Sequence, residues 1–299
     1  MAKFCYHLLL TTLKGFVRQM TKYTGQLHKM ASKADDPVHY SFVLKQDGGN
    51  LNELPGANTL LGNTLQLHFT GNIHCIACKR AITKTFNQGY CFPCVKKLAA
   101  CDMCIVKPET CHFDKGTCRE PEWGLAHCFI PHIVYLANSS GLKVGITREI
   151  QVATRWIDQG AVQTLPILRV QSRLQAGLLE QEFAKHVKDK TDWRKMLMAA
   201  NALEDLPAKR DELFSTLATK IQEIASKFKF GDIEMLTAEP VQTFNYPVLE
   251  YPQKINSLCF HKAPTIKDKL LGIKGQYLMF ASGVINLRKY TGYEIAIEL

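Results

Sequence analysis

The sequence predicts a mixed α/β (α+β) fold in which a cysteine ribbon precedes a small β-β-α-β-α core, with β-rich segments on both sides. Three observations predict this arrangement. Nine of the 11 cysteines lie between Cys75 and Cys128. Short runs of alternating apolar and polar residues precede the ribbon, and β-rich chain returns near the C-terminus. Strand and helix patterns alternate between residues 131 and 200.

These patterns divide the chain into four regions. They are an N-terminal extension (1–37), a β segment with the cysteines (38–130), the core (131–204), and a helix followed by β-rich chain (205–299). The first and last β segments are expected to pack together or to share one type of module.

The N-terminal extension contains no acidic residue as far as Lys33, and its first residues are mostly apolar. His7 interrupts the apolar run, and no small-residue cleavage site follows, so the pattern does not favour a signal peptide. We expect a dispensable extension, with Met20 as the alternative start.

Charge and cysteine usage restrict the class of protein. The formal net charge is +10, and a basic surface favours polyanions such as DNA or RNA. No apolar run reaches the roughly 18 residues that span a bilayer, so no membrane partner is expected. An odd number of clustered cysteines is unlike a secreted disulfide framework and predicts a cytoplasmic protein.

The first cysteine cluster has the spacing of a zinc ribbon. Cys75 and Cys78 are separated by two residues, as are Cys91 and Cys94, with twelve residues between the pairs. Two intervening residues allow a tight turn to direct both sulfurs at one metal, and two such turns complete a tetrahedron. Gly89 suits the hairpin between them. The alternative is a redox-active C-x-x-C pair, but two pairs at this spacing favour structural zinc.

A second cluster follows, and its ligand set stays open. Cys101 and Cys104 form another C-x-x-C pair, and two further ligands would come from Cys111, His112, Cys118 or Cys128. With Cys111 and Cys118 as the preferred ligands, the sequence predicts a second closed, structural zinc site.

The core region has its own order of elements. Strands are predicted over 132–137, 142–147 and 164–170, with a short helix through Trp156 after the second strand. Ser172 and Gln175 form a capping box for a second helix. An amphipathic helix is predicted from Pro207 to about Phe230.

This core resembles the GIY-YIG nuclease superfamily over about 70 residues. The resemblance rests on the element order and on four runs of sequence, which are Val134-Tyr135, Lys143-Val144-Gly145-Ile146-Thr147, Arg155-Trp156 and Leu178-Leu179-Glu180. It implies a divalent-metal-dependent endonuclease that uses Mg²⁺ or Mn²⁺.

The resemblance also implies roles for particular residues. Tyr135 would orient or deprotonate the attacking water, Arg155 would hold the scissile phosphate, and Glu180 would bind the metal, with Glu182 as the alternative carboxylate. Lys143 stands where the family has its second tyrosine, so it would bind phosphate or mark an inactive site. Arg148 and Arg173 are candidates for further phosphate contacts.

The whole chain is also similar to an uncharacterised bacterial family in which a cysteine-rich segment precedes such a core. The similarity is carried by Cys75-Ile76-Ala77-Cys78, Gly89-Tyr90-Cys91, Cys101-Asp102-Met103-Cys104 and Tyr135-Leu136-Ala137-Asn138-Ser139-Ser140. Three hypotheses follow: a zinc-containing nuclease, a catalytically inactive nucleic-acid-binding protein, and a zinc-stabilised scaffold for protein interactions. The basic charge argues against the scaffold, and Lys143 favours the inactive protein over the nuclease.

Overall fold

A computed structural model describes residues 21–46, 50–54, 56–187, 192–198, 202–229 and 233–298. Cys5, the alternative start at Met20 and most of the predicted turn at 47–50 lie outside these residues. None of the helices in the described ranges is both long and apolar enough to cross a membrane.

The described strands are β1 (Lys22–Leu27), β2 (Ala31–Lys33), β3 (His39–Ser41), β4 (Val43–Lys45), β5 (Leu51–Glu53), β6 (Thr64–Ile73), β7 (His132–Asn138), β8 (Leu142–Arg148), β9 (Gln163–Val170), β10 (Glu234–Met235), β11 (Gln242–Thr243), β12 (Thr265–Lys274), β13 (Tyr277–Phe280), β14 (Gly283–Asn286) and β15 (Tyr293–Glu298). The α-helices are α1 (Phe92–Lys97), α2 (Pro121–Cys128), α3 (Val152–Asp158), α4 (Arg173–Ala184), α5 (Trp193–Met198) and α6 (Leu206–Ala225).

The N-terminal and C-terminal β segments form one large sheet that curls into a half-barrel. Its strand order is β14-β13-β12-β6-β15-β1-β4-β5. Strand β6 lies between β12 and β15 and is antiparallel to both, so Leu67 lies opposite both Ile266 and Ile297. The inward side chains of these strands are buried, as alternation of apolar residues predicts.

A second sheet contains the core strands. Strand β7 lies between β8 and β9, and the short strands β10 and β11 both pair with β9. The order β7-β8-α3-β9-α4 agrees with the order that the sequence predicts. Helix α4 begins at its predicted cap, because the Ser172 side chain accepts a hydrogen bond from the Gln175 backbone N–H at 3.2 Å.

Helix α6 and strands β10 and β11 belong to this second unit, although the sequence analysis assigned them to the C-terminal region. Leu213, Leu217 and Ile221 of α6 pack in one apolar cluster with Leu179 and Phe183 of α4. Their helical spacing gives α6 one apolar face, and α4 with β9 covers it.

Strand β7 is buried along its whole length because both of its faces are covered. Ile133, Tyr135 and Ala137 pack in the same apolar cluster as the buried side chains of the large sheet. Val134 and Leu136 point to the opposite side and pack with the cluster of α4 and α6. The strand therefore joins two apolar cores, since successive side chains of a strand point to opposite faces.

A buried carboxylate links the two sheets where α3 meets the large sheet. The Asp158 side chain is only 5% exposed and accepts hydrogen bonds from Lys29 Nζ and Gln276 Nε2, each at 2.8 Å. Gln276 also donates to the Met30 carbonyl and accepts from the Met30 N–H. These bonds fix α3 in place, because a buried carboxylate is costly unless it is paired.

Gly145 of β8 gives a test of the packing around β7. It lies opposite Tyr135, and a Cβ atom there would come within 2.6 Å of the Tyr135 hydroxyl oxygen. Gly145→Ala is expected to lower the free energy of unfolding by about 1–3 kcal/mol, since overpacking forces neighbouring atoms apart. Urea denaturation of Gly145→Ala, of Tyr135→Ala and of the double variant measures the change in the free energy of unfolding. Simple additivity of Gly145→Ala with Tyr135→Ala would contradict the proposed clash.

Candidate functional site

The first cysteine cluster converges on one point. The sulfur atoms of Cys75, Cys78, Cys91 and Cys94 all lie within 4.8 Å of one another, and those of Cys78 and Cys91 are 3.7 Å apart. A tetrahedral zinc ion with Zn–S distances of about 2.3 Å would place its sulfurs about 3.8 Å apart. These four residues could therefore hold a metal ion such as zinc.

Local backbone turns create this convergence. The first turn is closed by hydrogen bonds from Lys79 N–H to the Cys75 carbonyl and from Cys75 N–H to the Arg80 carbonyl, each 3.0 Å long. The second pair follows a tight hairpin in which Gly89 has a φ of 122°. Residues with a Cβ atom rarely adopt this backbone conformation, which explains why glycine stands at this position of the hairpin.

The pKa values of the Cys78 and Cys94 thiols in this cluster are shifted in opposite directions. The Arg80 backbone N–H lowers the pKa of Cys78 to about 6. Burial, together with hydrogen bonds from the neighbouring thiols, raises the pKa of Cys94 to about 12. Four thiols this close cannot all ionise without a compensating charge, and a divalent metal ion bound to them would supply that charge.

Hydrogen bonds fix the metal module, which we define as residues 74–98, to the large sheet. His74 follows the end of β6, and its N–H donates to the Gly292 carbonyl just before β15 at 2.9 Å. The Gln26 side chain on β1 donates to the His74 carbonyl at 2.6 Å. The module is thus held to three adjacent strands.

The outer surface of the module is basic and partly aromatic, and we call it the basic face. It carries Lys79, Arg80, Lys84, Lys96 and Lys97, all of them exposed, and residues 75–101 contain no aspartate or glutamate. The rings of Phe86 and Phe92 lie 5.5 Å apart, and the Phe92 side chain is half exposed. Lys84 lies 5.1 Å from the Phe86 ring, and Lys96 lies 4.8 Å from the Phe92 ring.

The second cysteine cluster is arranged differently. Cys104, Cys111, Cys118 and Cys128 line one enclosed cavity, together with Ala99, Asp102, Ile105, His112, Phe113, Arg119, Trp123, Gly124 and Phe129. Burial raises the pKa of Cys104 to about 11 and also raises the pKa of Cys128.

Cys101, which the sequence analysis paired with Cys104, is not part of this cavity lining. Its thiol is hydrogen-bonded to Asn87 and lies within electrostatic range of Cys75. Its thiol therefore contacts the first module through Asn87, although it belongs to the same C-x-x-C pair as Cys104. The structure brings Cys128 to the cavity in its place.

The candidate catalytic residues come together near α3. The Arg155 guanidinium donates a hydrogen bond to the Tyr135 hydroxyl, and Glu180 lies within electrostatic range of both residues. Gln159 is the other polar neighbour, with its side-chain oxygen 3.5 Å from the Tyr135 hydroxyl. Tyr135 of β7 and Arg155 of α3 are thus in contact, and Glu180 of α4 lies near them.

The accessibility of this group differs from residue to residue. Arg155 is exposed and Glu180 is half-buried, whereas Tyr135 is completely buried and burial raises its pKa. Lys143 is also buried, opposite Ala137 of β7. A buried tyrosine with a raised pKa keeps its proton, so its hydroxyl is suited to donating a hydrogen bond rather than to acting as a base.

The remaining candidates have partners elsewhere. Glu182 forms an ion pair with Lys185 at 2.6 Å. Arg173, an expected phosphate contact, is turned inward and donates a hydrogen bond to the Ile105 carbonyl at 2.6 Å. This inward orientation is not apparent from the sequence pattern, because an arginine that follows a helix cap can equally point to solvent.

Comparison with protein-family models identifies one match. Residues 62–295 match the family described as "Protein of unknown function (DUF2797)", and the chain belongs to that family. Comparisons with curated proteins and with solved structures gave no match.

Removing one sulfur tests the first metal site. Cys78→Ser is expected to lower the zinc content by about one atom per chain, because a serine hydroxyl is a much poorer zinc ligand than a thiolate. Cys78 is exposed, so the change removes a ligand without opening a cavity. Elemental analysis of the purified full-length chain measures this loss. Cys259→Ser, a cysteine outside both clusters, is the control, and equal zinc in both variants would contradict the assignment.

Proposed function

We propose that this member of the DUF2797 family is a zinc-containing protein that binds DNA or RNA through the basic face of its metal module. The observation that carries the proposal is five exposed cations, with no acidic residue, over residues 75–101. Zinc holds the module rigid, since a closed four-thiolate site contributes folding free energy directly.

The charge pattern supports a phosphate backbone as the ligand. Lysine and arginine side chains that neutralise phosphates release counterions, and this supplies most of the affinity of non-specific binding. The nearby Lys45 side chain lowers the pKa of Lys79, which shows that two cations share this part of the surface. A polyanion would relieve their repulsion.

The aromatic residues of the basic face support a contact with unpaired bases. Phe92 is exposed and lies beside Lys96, and Phe86 packs against it. An exposed ring next to cations can stack on a base while the cations contact phosphate, as in proteins that bind single strands.

Free thiols support a reducing compartment. The ten cysteines in the described residues are all unpaired by disulfides. Such a pattern is typical of proteins in the cytoplasm, where thiols stay reduced, and we infer that the protein acts there.

A second proposed activity is phosphodiester cleavage with Mg²⁺ or Mn²⁺. The meeting of Tyr135, Arg155 and Glu180 supports it, because cleavage needs a cation at the phosphate and a carboxylate for the metal. The burial of Tyr135 and Lys143 favours a site that binds phosphate through Arg155 without using Tyr135 as the base. The binding proposal does not depend on this activity.

Neutralising the basic face tests the binding proposal. The combined change of Lys84, Lys96 and Lys97 to glutamine is expected to weaken binding to all sequences. It should lower the slope of log K against log salt by about 0.7–0.9 for each lost phosphate contact. Fluorescence anisotropy with single-stranded and duplex DNA and RNA, from about 50 to 200 mM salt, measures both effects.

The control for this experiment is Lys227→Gln, which removes an exposed lysine after helix α6. An equal loss of affinity in the control, or wild-type binding that salt does not change, would contradict the basic face as the interface.

Replacing the carboxylate tests cleavage separately. If the core cleaves nucleic acid, Glu180→Ala is expected to reduce the Mg²⁺-dependent rate by about 100-fold or more while binding stays nearly intact, because the metal acts in the transition state. Tyr135→Phe should slow the reaction because the Arg155 guanidinium loses the hydroxyl oxygen to which it donates a hydrogen bond. The assay uses single-stranded, duplex and branched DNA and RNA with Mg²⁺ or Mn²⁺.

Glu182→Ala is the matched comparison on the same helix, since Glu182 is paired with Lys185. A rate for the wild-type protein no higher than that of Glu180→Ala on every substrate would rule out the nuclease and leave the binding function.

A further inference from the structure

The cavity lined by Cys104, Cys111, Cys118 and Cys128 is enclosed and otherwise largely apolar. Its sulfurs come from four separate places in the chain: a short 3-10 turn at Met103–Ile105, the residue after the turn Pro108–Thr110, the loop before α2, and the last residue of α2. Aromatic rings close the remaining walls, including Phe113 and Phe129, whose centroids are 4.6 Å apart. Four sulfurs around a largely apolar space could together hold an occupant that binds thiolates.

The spacing of these sulfurs differs from that of the first site. The four thiols of the metal module lie within 4.8 Å of one another, as one zinc ion requires. Within the described ranges, the four cavity sulfurs do not form a group of that kind. They surround a space instead of meeting at a point. This arrangement suits a centre with several metal atoms, in which each cysteine binds at a different place.

Asp102, Cys104 and His112 do place ligand atoms within 4.8 Å of one another, but the Asp102 and His112 side chains are already engaged. Arg119 Nε lies 2.6 Å from the Asp102 carboxylate and neutralises it. His112 Nε2 lies 3.5 Å from the same carboxylate, and its Nδ1 lies 2.8 Å from the Thr117 hydroxyl. An arginine in this position would repel a lone divalent ion bound to Asp102.

A half-buried cation lies beside the cavity. Arg173 is the first residue of α4, and its Nη2 donates to the carbonyl of Ile105, which is itself a wall residue. The Nε of Arg173 is buried and has no hydrogen-bond partner among the described residues. Its ionisable neighbours are the thiols of Cys128 and Cys104, the Glu180 carboxylate on the same helix and the Arg148 guanidinium. A guanidinium held here is costly unless an anionic group faces it.

We propose that Cys104, Cys111, Cys118 and Cys128 bind an iron–sulfur cluster, with Arg173 as the cation that balances its charge. Four cysteine thiolates are the usual ligands of such clusters, and a cluster bound to four thiolates is an anion. Apolar walls and hydrogen-bond donors near the sulfurs are the features that stabilise a cluster and set its potential. This site is separate from the basic face, so the proposal is independent of nucleic-acid binding.

The cluster would fasten the cysteine-rich segment to the core. Helix α4 lies against the turn Pro108–Thr110, where a Cβ on Gly177 would come within 2.6 Å of the Pro108 ring. Arg173 at the start of the same helix holds the carbonyl of Ile105. A bound cluster would tie Cys104 and Cys111, on either side of this contact, to α2.

Metal analysis of the full-length chain tests the proposal. Protein from cells grown with ample iron and purified without oxygen is expected to contain about two to four iron atoms and an equal amount of acid-labile sulfide per chain. It should also contain about one zinc atom, at the first site. A broad visible absorption from sulfide-to-iron charge transfer should accompany the iron, and the ratio of iron to protein gives the cluster size.

Matched cysteine variants locate the cluster. Cys104→Ser and Cys128→Ser are expected to lose most of the iron, sulfide and visible absorption. Cys101→Ser, in the same segment but outside the cavity lining, and Cys259→Ser should keep all three. The Cys101 variant also shows whether loss of any cysteine in this segment has the same effect.

Metal analysis can also overturn the proposal. If protein purified without oxygen holds about two zinc atoms and no iron, and addition of ferrous iron and sulfide forms no visible band, the cavity holds zinc and the proposal is overturned. Because this result comes from the wild-type chain, it does not depend on whether a cysteine variant folds.

Discussion

Burial of strand β7 on both faces is the constraint on which the other contacts depend. Its odd-numbered residues pack toward the large sheet and its even-numbered residues pack toward α4 and α6. Neither core would be complete without it, because each side chain of the strand is buried. The strand also decides what the candidate catalytic group can do. Tyr135 completes the first core, so its hydroxyl is available only to the few polar groups packed around it, chiefly Arg155.

The two cysteine groups differ in what they need from the fold. In the first, two tight turns bring four sulfurs to one point. Donors to the thiols come from within the module: Cys91 N–H donates to Cys75 Sγ and Arg80 Nε donates to Cys78 Sγ. In the second, the sulfurs come from four places and depend on helix α2, on α4 and on aromatic packing to surround one space. The first site can form locally, whereas the second needs the folded core beside it.

The positively charged side chains near the two cysteine groups also differ in their exposure. The cations of the metal module are exposed and face no carboxylate within residues 75–101, which suits a phosphate backbone. Arg173 and Arg119, by contrast, are directed into the cysteine-rich segment, where they contact Ile105 and Asp102. The net charge of +10 therefore includes both exposed and inward-directed cations. Only the exposed cations can attract a polyanion.

The sequence by itself determined the features that depend on residues close together in the chain. The convergence of Cys75, Cys78, Cys91 and Cys94 as candidate metal ligands, the Ser172 cap and the element order of the core all follow from local spacing, because turns and caps form between near neighbours. The tertiary structure decided the rest. The pairing of β6 with β12, the burial of Tyr135 and the replacement of Cys101 by Cys128 at the cavity join residues far apart in sequence. Such contacts are chosen by the packing of apolar faces, which the local pattern leaves open.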